Sequence, residues 1–163
     1  MGGVTHPRFG MDPSASITID DSLWPLLLVR FPSAFSNQQQ DQYLERLLMY
    51  LRRGQKYVGI MDANLVQVAT SEQRQRQAEF VKKHEALFRQ CSLGTAAVVT
   101  SPVVALIGRI LIHLKPMPFP YYLAPSLPGA AGWAAAQLEG AGLAEAAERV
   151  RLHFGLRAER RAG

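Results

Sequence analysis

The chain has 163 residues, 48% of them hydrophobic and 19% charged, a balance that suits one globular domain with its own core. The net charge of +5 gathers late, at Arg149, Arg151, Arg157, Arg160 and Arg161, and Arg/Lys clusters do not alternate with aromatic residues, so no nucleic-acid partner is expected. A single cysteine, Cys91, excludes an internal disulfide and suits a reducing cytoplasm.

Residues 1–15 have no apolar core and read as a flexible leader, with Met11 an alternative start. Ile17 and Ile19 then alternate with Thr18 and Asp20, as in a half-buried strand, and Asp20-Asp21-Ser22 offers a turn. Leu26 to Phe31 is a short apolar run of strand length, so the two segments predict a hairpin. Ser36 and Gln39 form a capping box, and Leu44, Leu47, Leu48 and Leu51 recur behind it at helical spacing. Arg52, Arg53 and Gly54 close that helix, and Tyr57 to Met61 is the next strand.

A second capping box, Thr70 and Gln73, opens a helix on which Phe80, His84, Leu87, Phe88 and Cys91 share one side. Gly94 reads as a chain break and Ala96 to Thr100 as an interior strand. Ser101 caps a third helix, with Pro102 in its first turn and a core stripe of Val103, Ile107, Ile110, Leu111 and Leu114. The apolar run Ala96 to Leu114 is interrupted by Ser101-Pro102, Arg109 and His113, so strand then helix is expected rather than a membrane span. Prolines 116, 118 and 120 lead to an edge strand at Tyr121 to Leu123, and a helix around Ala130 to Leu138 is expected to bury Trp133. Residues 143–163 form a C-terminal amphipathic basic helix and tail. Its stripe of Leu143, Ala147, Val150 and Phe154 must bury against this domain or a second chain, which leaves a homodimer open. Strands alternating with helices imply an α/β fold, with a mixed, mostly parallel sheet of about five strands and four to five helices.

The candidate chemistry is sparse. His84 and Cys91 lie two helical turns apart, whereas metal pairs on a helix sit one turn apart, so neither a metal nor a cofactor is expected. Asp62, at a strand end, is an acid or base candidate, but a lone carboxylate there more often anchors the following turn. Thr70 and Ser71 sit where helix amides favour a phosphate, although plain caps account for them too. Arg109 and His113, one turn apart, are candidates for an anionic head group. Tyr121 and Trp133 are candidates for lining an apolar pocket.

The ordered segments PLLLVRF, VGIMDAN, SEQRQRQAEFVKKHEALFRQC, TAAVVTSP and RILIHLKPMPFPYYLAPSLPGAAGWAAAQL resemble the SpoIIAA-like branch of the STAS superfamily, which is itself compared with CRAL-TRIO lipid-transfer domains. The resemblance covers about Ser16 to Leu143, and the STAS-like domain is taken as residues 16–142. It implies a cytoplasmic bacterial regulator that binds a partner kinase and is switched by serine phosphorylation at the start of the second helix. On the family's signature, Asp62, Ala63, Asn64 and Val66 occupy the first positions, and Thr70, Ser71, Glu72 and Gln73 the last four. Only the first serine of the family's pair is present, as Ser71, with Glu72 at the second.

The expectation is therefore a non-enzymatic module that binds a protein partner through Asp62, Asn64, Thr70, Ser71 and Glu72. The rival is a carrier of a small apolar or lipid-like ligand, contacted by Arg109, His113, Tyr121 and Trp133. An enzyme of unknown reaction ranks last.

Overall fold

The computed structural model describes residues 16–63 and 68–156. In chain order its elements are β1 (Thr18–Asp20), β2 (Leu26–Arg30), α1 (Asn37–Arg52), β3 (Tyr57–Asp62), α2 (Ser71–Lys83) and α3 (Glu85–Cys91). They continue with β4 (Ser92–Val98), α4 (Pro102–Leu114), β5 (Tyr121–Ala124), α5 (Leu127–Gly140) and α6 (Ala144–His153). The fold is α/β: one five-stranded sheet whose spatial order is the chain order, β1-β2-β3-β4-β5. The β1–β2 hairpin is antiparallel, with Ile19 opposite Val29, and every later pair is parallel.

The strands sort their side chains by parity. Leu27, Val29, Tyr57, Met61, Ala97 and Leu123 point to the face covered by α1 to α4. Leu26, Leu28, Val58, Ile60, Ala96 and Ala124 point to the opposite face, where α5 and α6 pack. On that second face α5 buries Ala130, Ala131, Ala134, Ala135 and Leu138, small residues that let the helix lie close to the sheet. The stripe on α6 is consumed inside the chain: Ala147 and Val150 are fully buried, and Leu143 and Phe154 pack on the same cluster.

The three connections that return to a parallel neighbour (α1, α2 with α3, and α4) all lie on one face, as right-handed crossovers in a sequentially ordered sheet require. Both expected capping boxes form, at Ser36–Gln39 and at Thr70–Gln73.

Four local expectations need correction. The long helix to Cys91 is broken at His84, whose ψ is 25°, which raises the count among the described residues to six helices. Unbroken, it would run about 31 Å, well beyond the roughly 20 Å of a strand such as β3, so the bend keeps both Val81 and Phe88 on the core. Gly94 does not break the chain but sits inside β4 with φ +136°, beside a register shift between Tyr57 and Gly59. Trp133 is half-buried, its ring stacked on Tyr122 at 5.6 Å.

The fourth correction is the largest. On α4 only Ala105 is buried, with Val104, Gly108 and Ile112 half-buried beside it. The stripe expected in the core faces outward: Val103 is 67% exposed, Ile107 50% and Leu114 69%, and Leu106, Ile110 and Leu111 are open as well. The helix is apolar nearly all round, so periodicity could not say which side faces the sheet, and the smaller side took it. Gly108 shows why: a Cβ there would stand 2.8 Å from Leu123 Cδ1, so this side makes the close approach. Among the described residues no helix is long and apolar enough to cross a membrane.

Candidate functional site

Asp62 ends β3 in register with Arg30 of β2, and Arg30 Nε lies 3.6 Å from Asp62 Oδ2. Both side chains are partly open to solvent, so the pair is a surface tether of at most about 1 kcal/mol. Asn64, the next expected contact, lies outside the described residues.

The start of α2 is held far more firmly. Thr70 Oγ1 accepts from the Gln73 amide at 3.1 Å, and Gln73 Oε1 accepts from the Thr70 amide at 3.1 Å. Gln73 is buried, and its Nε2 also donates to the Phe35 carbonyl at 2.7 Å and to Asn37 Oδ1 at 3.2 Å. From the other side Gln40 Nε2 donates to the Gln73 carbonyl at 2.7 Å, and Arg76 forms an ion pair with Asp41. The first turns of α1 and α2 are thus tied together by buried amides. Exposed on that platform stand Thr70, Ser71 and Glu72, with Glu72 in the first turn, where a negative charge is favoured. Arg74 bridges the group, donating from Nη2 to Ser71 Oγ at 3.1 Å and from Nη1 to the Ala69 carbonyl at 2.7 Å.

Sequence reasoning missed Arg74 and Gln40. Arg74 was findable as the residue one turn from Ser71. Gln40 was not, because in the run Gln38-Gln39-Gln40 nothing marks the one amide that points inward.

The head-group and pocket candidates do not converge. Arg109 and His113 are exposed on one flank of α4. Tyr121 is on the sheet face under α4, whereas Trp133 belongs to the α5 side, so the sheet itself separates them. His84 and Cys91 do not form a reactive pair either. Cys91 is fully buried, its Sγ 3.5 Å from the Leu51 carbonyl, and His84 packs its ring on Phe80 at 4.7 Å. Desolvation, with Lys83 and Arg52 nearby, holds the His84 pKa below its usual value. No group of three or more His, Cys, Asp or Glu side chains able to hold a metal occurs among the described residues.

Among the described residues, two apolar spaces between the sheet and its helices stand out. One, of about 200 Å³, sits under α4 and is lined by Ala63, Ala97, Val99, Leu111, Met117 and Tyr121, among others. The other, of about 80 Å³, sits under α1 to α3 and shares Met117 and Tyr121 with the first. The Tyr121 hydroxyl is enclosed although part of the residue stays open, and burial pushes its pKa up to about 12. Burial likewise pushes up the phenols of Tyr43 and Tyr57, which also line the smaller space. An open groove of about 490 Å³ runs between α2 and Lys115-Pro116-Met117-Pro118, with Arg74, Lys82, Glu79 and Glu85 along it.

The topology gives one of these spaces a position of note. The helix that follows β4 packs on one face and the helix that follows β5 on the other. Consecutive connections part between the carboxyl ends of β4 and β5, the condition that opens a crevice in parallel sheets. Between β3 and β4, by contrast, the connections α2 and α4 leave to the same face, so that condition is not met beside Asp62. Comparison with protein-family models, with curated proteins and with solved structures finds no match for this chain.

Proposed function

We propose that the chain is a non-enzymatic regulatory module that binds a protein partner, such as a kinase, through the segment after Asp62 and the first turn of α2. Asn64, Thr70, Ser71 and Glu72 are the contacts, in keeping with the STAS-like resemblance and its cytoplasmic, bacterial setting. One observation carries this reading: three exposed polar side chains stand on a helix start that buried Gln73 and Gln40 hold fixed. A surface already ordered loses little conformational entropy on docking. A phosphate on Ser71 would meet the helix amides and the guanidinium of Arg74, which already reaches its hydroxyl.

The test is a photo-crosslinking residue placed at Gln75, exposed one turn after Ser71 on α2, with one at Met49, exposed on α1, as control. Adducts at Gln75, none at Met49, and loss of capture with Ser71→Ala or Glu72→Lys support the assignment. Capture unchanged by both substitutions refutes it.

A second reading, a carrier of a small apolar or lipid-like ligand, is favoured by the space of about 200 Å³ under α4. It exceeds the roughly 150 Å³ of an apolar cavity that accepts a benzene-sized guest. Ala97→Leu would fill part of it. Uptake of a short-chain fluorescent fatty acid by the parent chain and not by this variant supports the carrier reading, and no uptake by either removes it.

A further inference from the structure

We infer that α4 is a self-association element, pairing antiparallel with α4 of a second copy of this chain across a two-fold axis. The argument is independent of the partner surface on α2. Six large branched side chains (Val103, Leu106, Ile107, Ile110, Leu111 and Leu114) lie exposed on one helix. Being half to two-thirds open, they expose on the order of 500 Å² of apolar surface, at the upper end of what soluble monomers leave uncovered.

The order of these residues identifies the occupant. They are arranged symmetrically about the Gly108–Arg109 peptide: Val103 mirrors Leu114, Leu106 mirrors Leu111, and Ile107 mirrors Ile110. A two-fold contact sets each residue level with its mirror position on the partner, so the middle of the stripe (Val103, Ile107, Ile110 and Leu114) is complementary to itself, with Leu106 and Leu111 flanking it on opposite rims. Val103, Ile107, Ile110 and Leu114 also follow the four-three-four spacing of a helix–helix seam. Antiparallel pairing sets the positive end of each helix beside the negative end of the other.

The charged residues agree. α4 carries no carboxylate, and Arg109 and His113 sit off the stripe on one flank, so pairing leaves both copies' cations in solvent along one rim. The exposed Pro102, Lys115 and Pro116 lie beside the stripe and extend the surface that a second copy covers. The stripe holds only aliphatic residues. It lacks the aromatic residues that accompany aliphatic ones on the apolar face of many helices lying in a lipid surface.

The experiment reads both association and register. Sedimentation equilibrium of the full chain is expected to give a dimer, and Ile107→Lys or Ile110→Lys to weaken it by roughly 100-fold with unchanged circular dichroism. Two single-cysteine variants fix the geometry. Across the axis two copies of Ile107→Cys lie about 4.5 Å apart along the helices and cross-link on mild oxidation, whereas two copies of Val103→Cys lie about 16 Å apart and do not. The native Cys91 is buried and does not interfere. A chain that stays monomeric at all concentrations overturns the inference, as does cross-linking through Val103→Cys. A monomer that floats with phosphatidylglycerol vesicles, and loses that property with Ile107→Lys, also overturns it and gives α4 to a lipid surface.

Discussion

Gln40 and Gln73 lie 33 residues apart in sequence, yet the side-chain amide of the first donates to the backbone carbonyl of the second at 2.7 Å. The contact joins the first turns of two helices on the same face of the sheet, and the two glutamines differ in what depends on them. Gln73 Nε2 satisfies the Phe35 carbonyl while its Oε1 holds the Thr70 amide, so Gln73→Ala strips several groups at once. A loss of about 2–3 kcal/mol is expected by urea denaturation. Gln40 Oε1 is buried and finds no donor among the described residues. Gln40→Met removes that acceptor along with one bond, and a change within about 1 kcal/mol is expected.

The cap and the residue after it should separate cleanly. Thr70→Ala removes an N-cap and is expected to cost about 1 kcal/mol. Ser71→Asp places a carboxylate in the first turn beside Arg74 and should raise stability by about 0.5 kcal/mol at low salt, fading as salt is added. A rise that persists in 1 M salt would contradict the electrostatic account.

Gly94 is expected to be among the least substitutable positions. A Cβ there would stand 2.5 Å from Trp133 Cη2 and 2.9 Å from the Pro120 carbonyl oxygen, at a φ of +136° that L side chains rarely adopt. Gly94→Ala should cost on the order of 3 kcal/mol in thermal or urea unfolding. Gly140 is the contrast: nothing lies within 4 Å of its Cβ position, so Gly140→Ala at the last residue of α5 should be neutral or mildly stabilising.

High pH should unfold the protein through its phenols. Burial raises the pKa of Tyr121 to about 12 from the usual value near 10, and raises Tyr43 and Tyr57 as well. A folded pKa above the unfolded one means the unfolded chain loses its proton first. The stability these groups contribute is therefore complete below about pH 10 and is lost as pH rises from there through the folded values. Denaturation midpoints measured from pH 8 to 12 should fall only above about pH 10, and Tyr121→Phe should make the fall shallower. A decline starting near pH 8 would point to other groups.

Much of this fold was legible because local signals agreed with one another. Ser36 with Gln39 and Thr70 with Gln73 marked two helix starts, and the alternation around Ile19 marked the hairpin strand. What escaped was decided by packing at a distance. Gly94 read as a break because its companion, Trp133, arrives from a helix 39 residues later. His84 bends a helix whose stripe looks continuous in sequence. On α4 the apolar residues nearly encircle the helix, so its period fixed the element but not its orientation. At the candidate site Thr70, Ser71 and Glu72 were readable as a helix start. The clamp beneath them was not, since buried Gln40 resembles its two exposed or half-buried neighbours in every local respect.

Met117 lines the space under α4, the space under α1 to α3 and the groove beside α2. Pro116 and Pro118 restrict the backbone on either side, which leaves an unbranched thioether as the soft part of a common wall. The three volumes are therefore not independent quantities: when that side chain turns, what one compartment gains its neighbours give up. Any displacement of that side chain from the α4 side would therefore change the shape presented on the α2 side, with no helix or strand having to move.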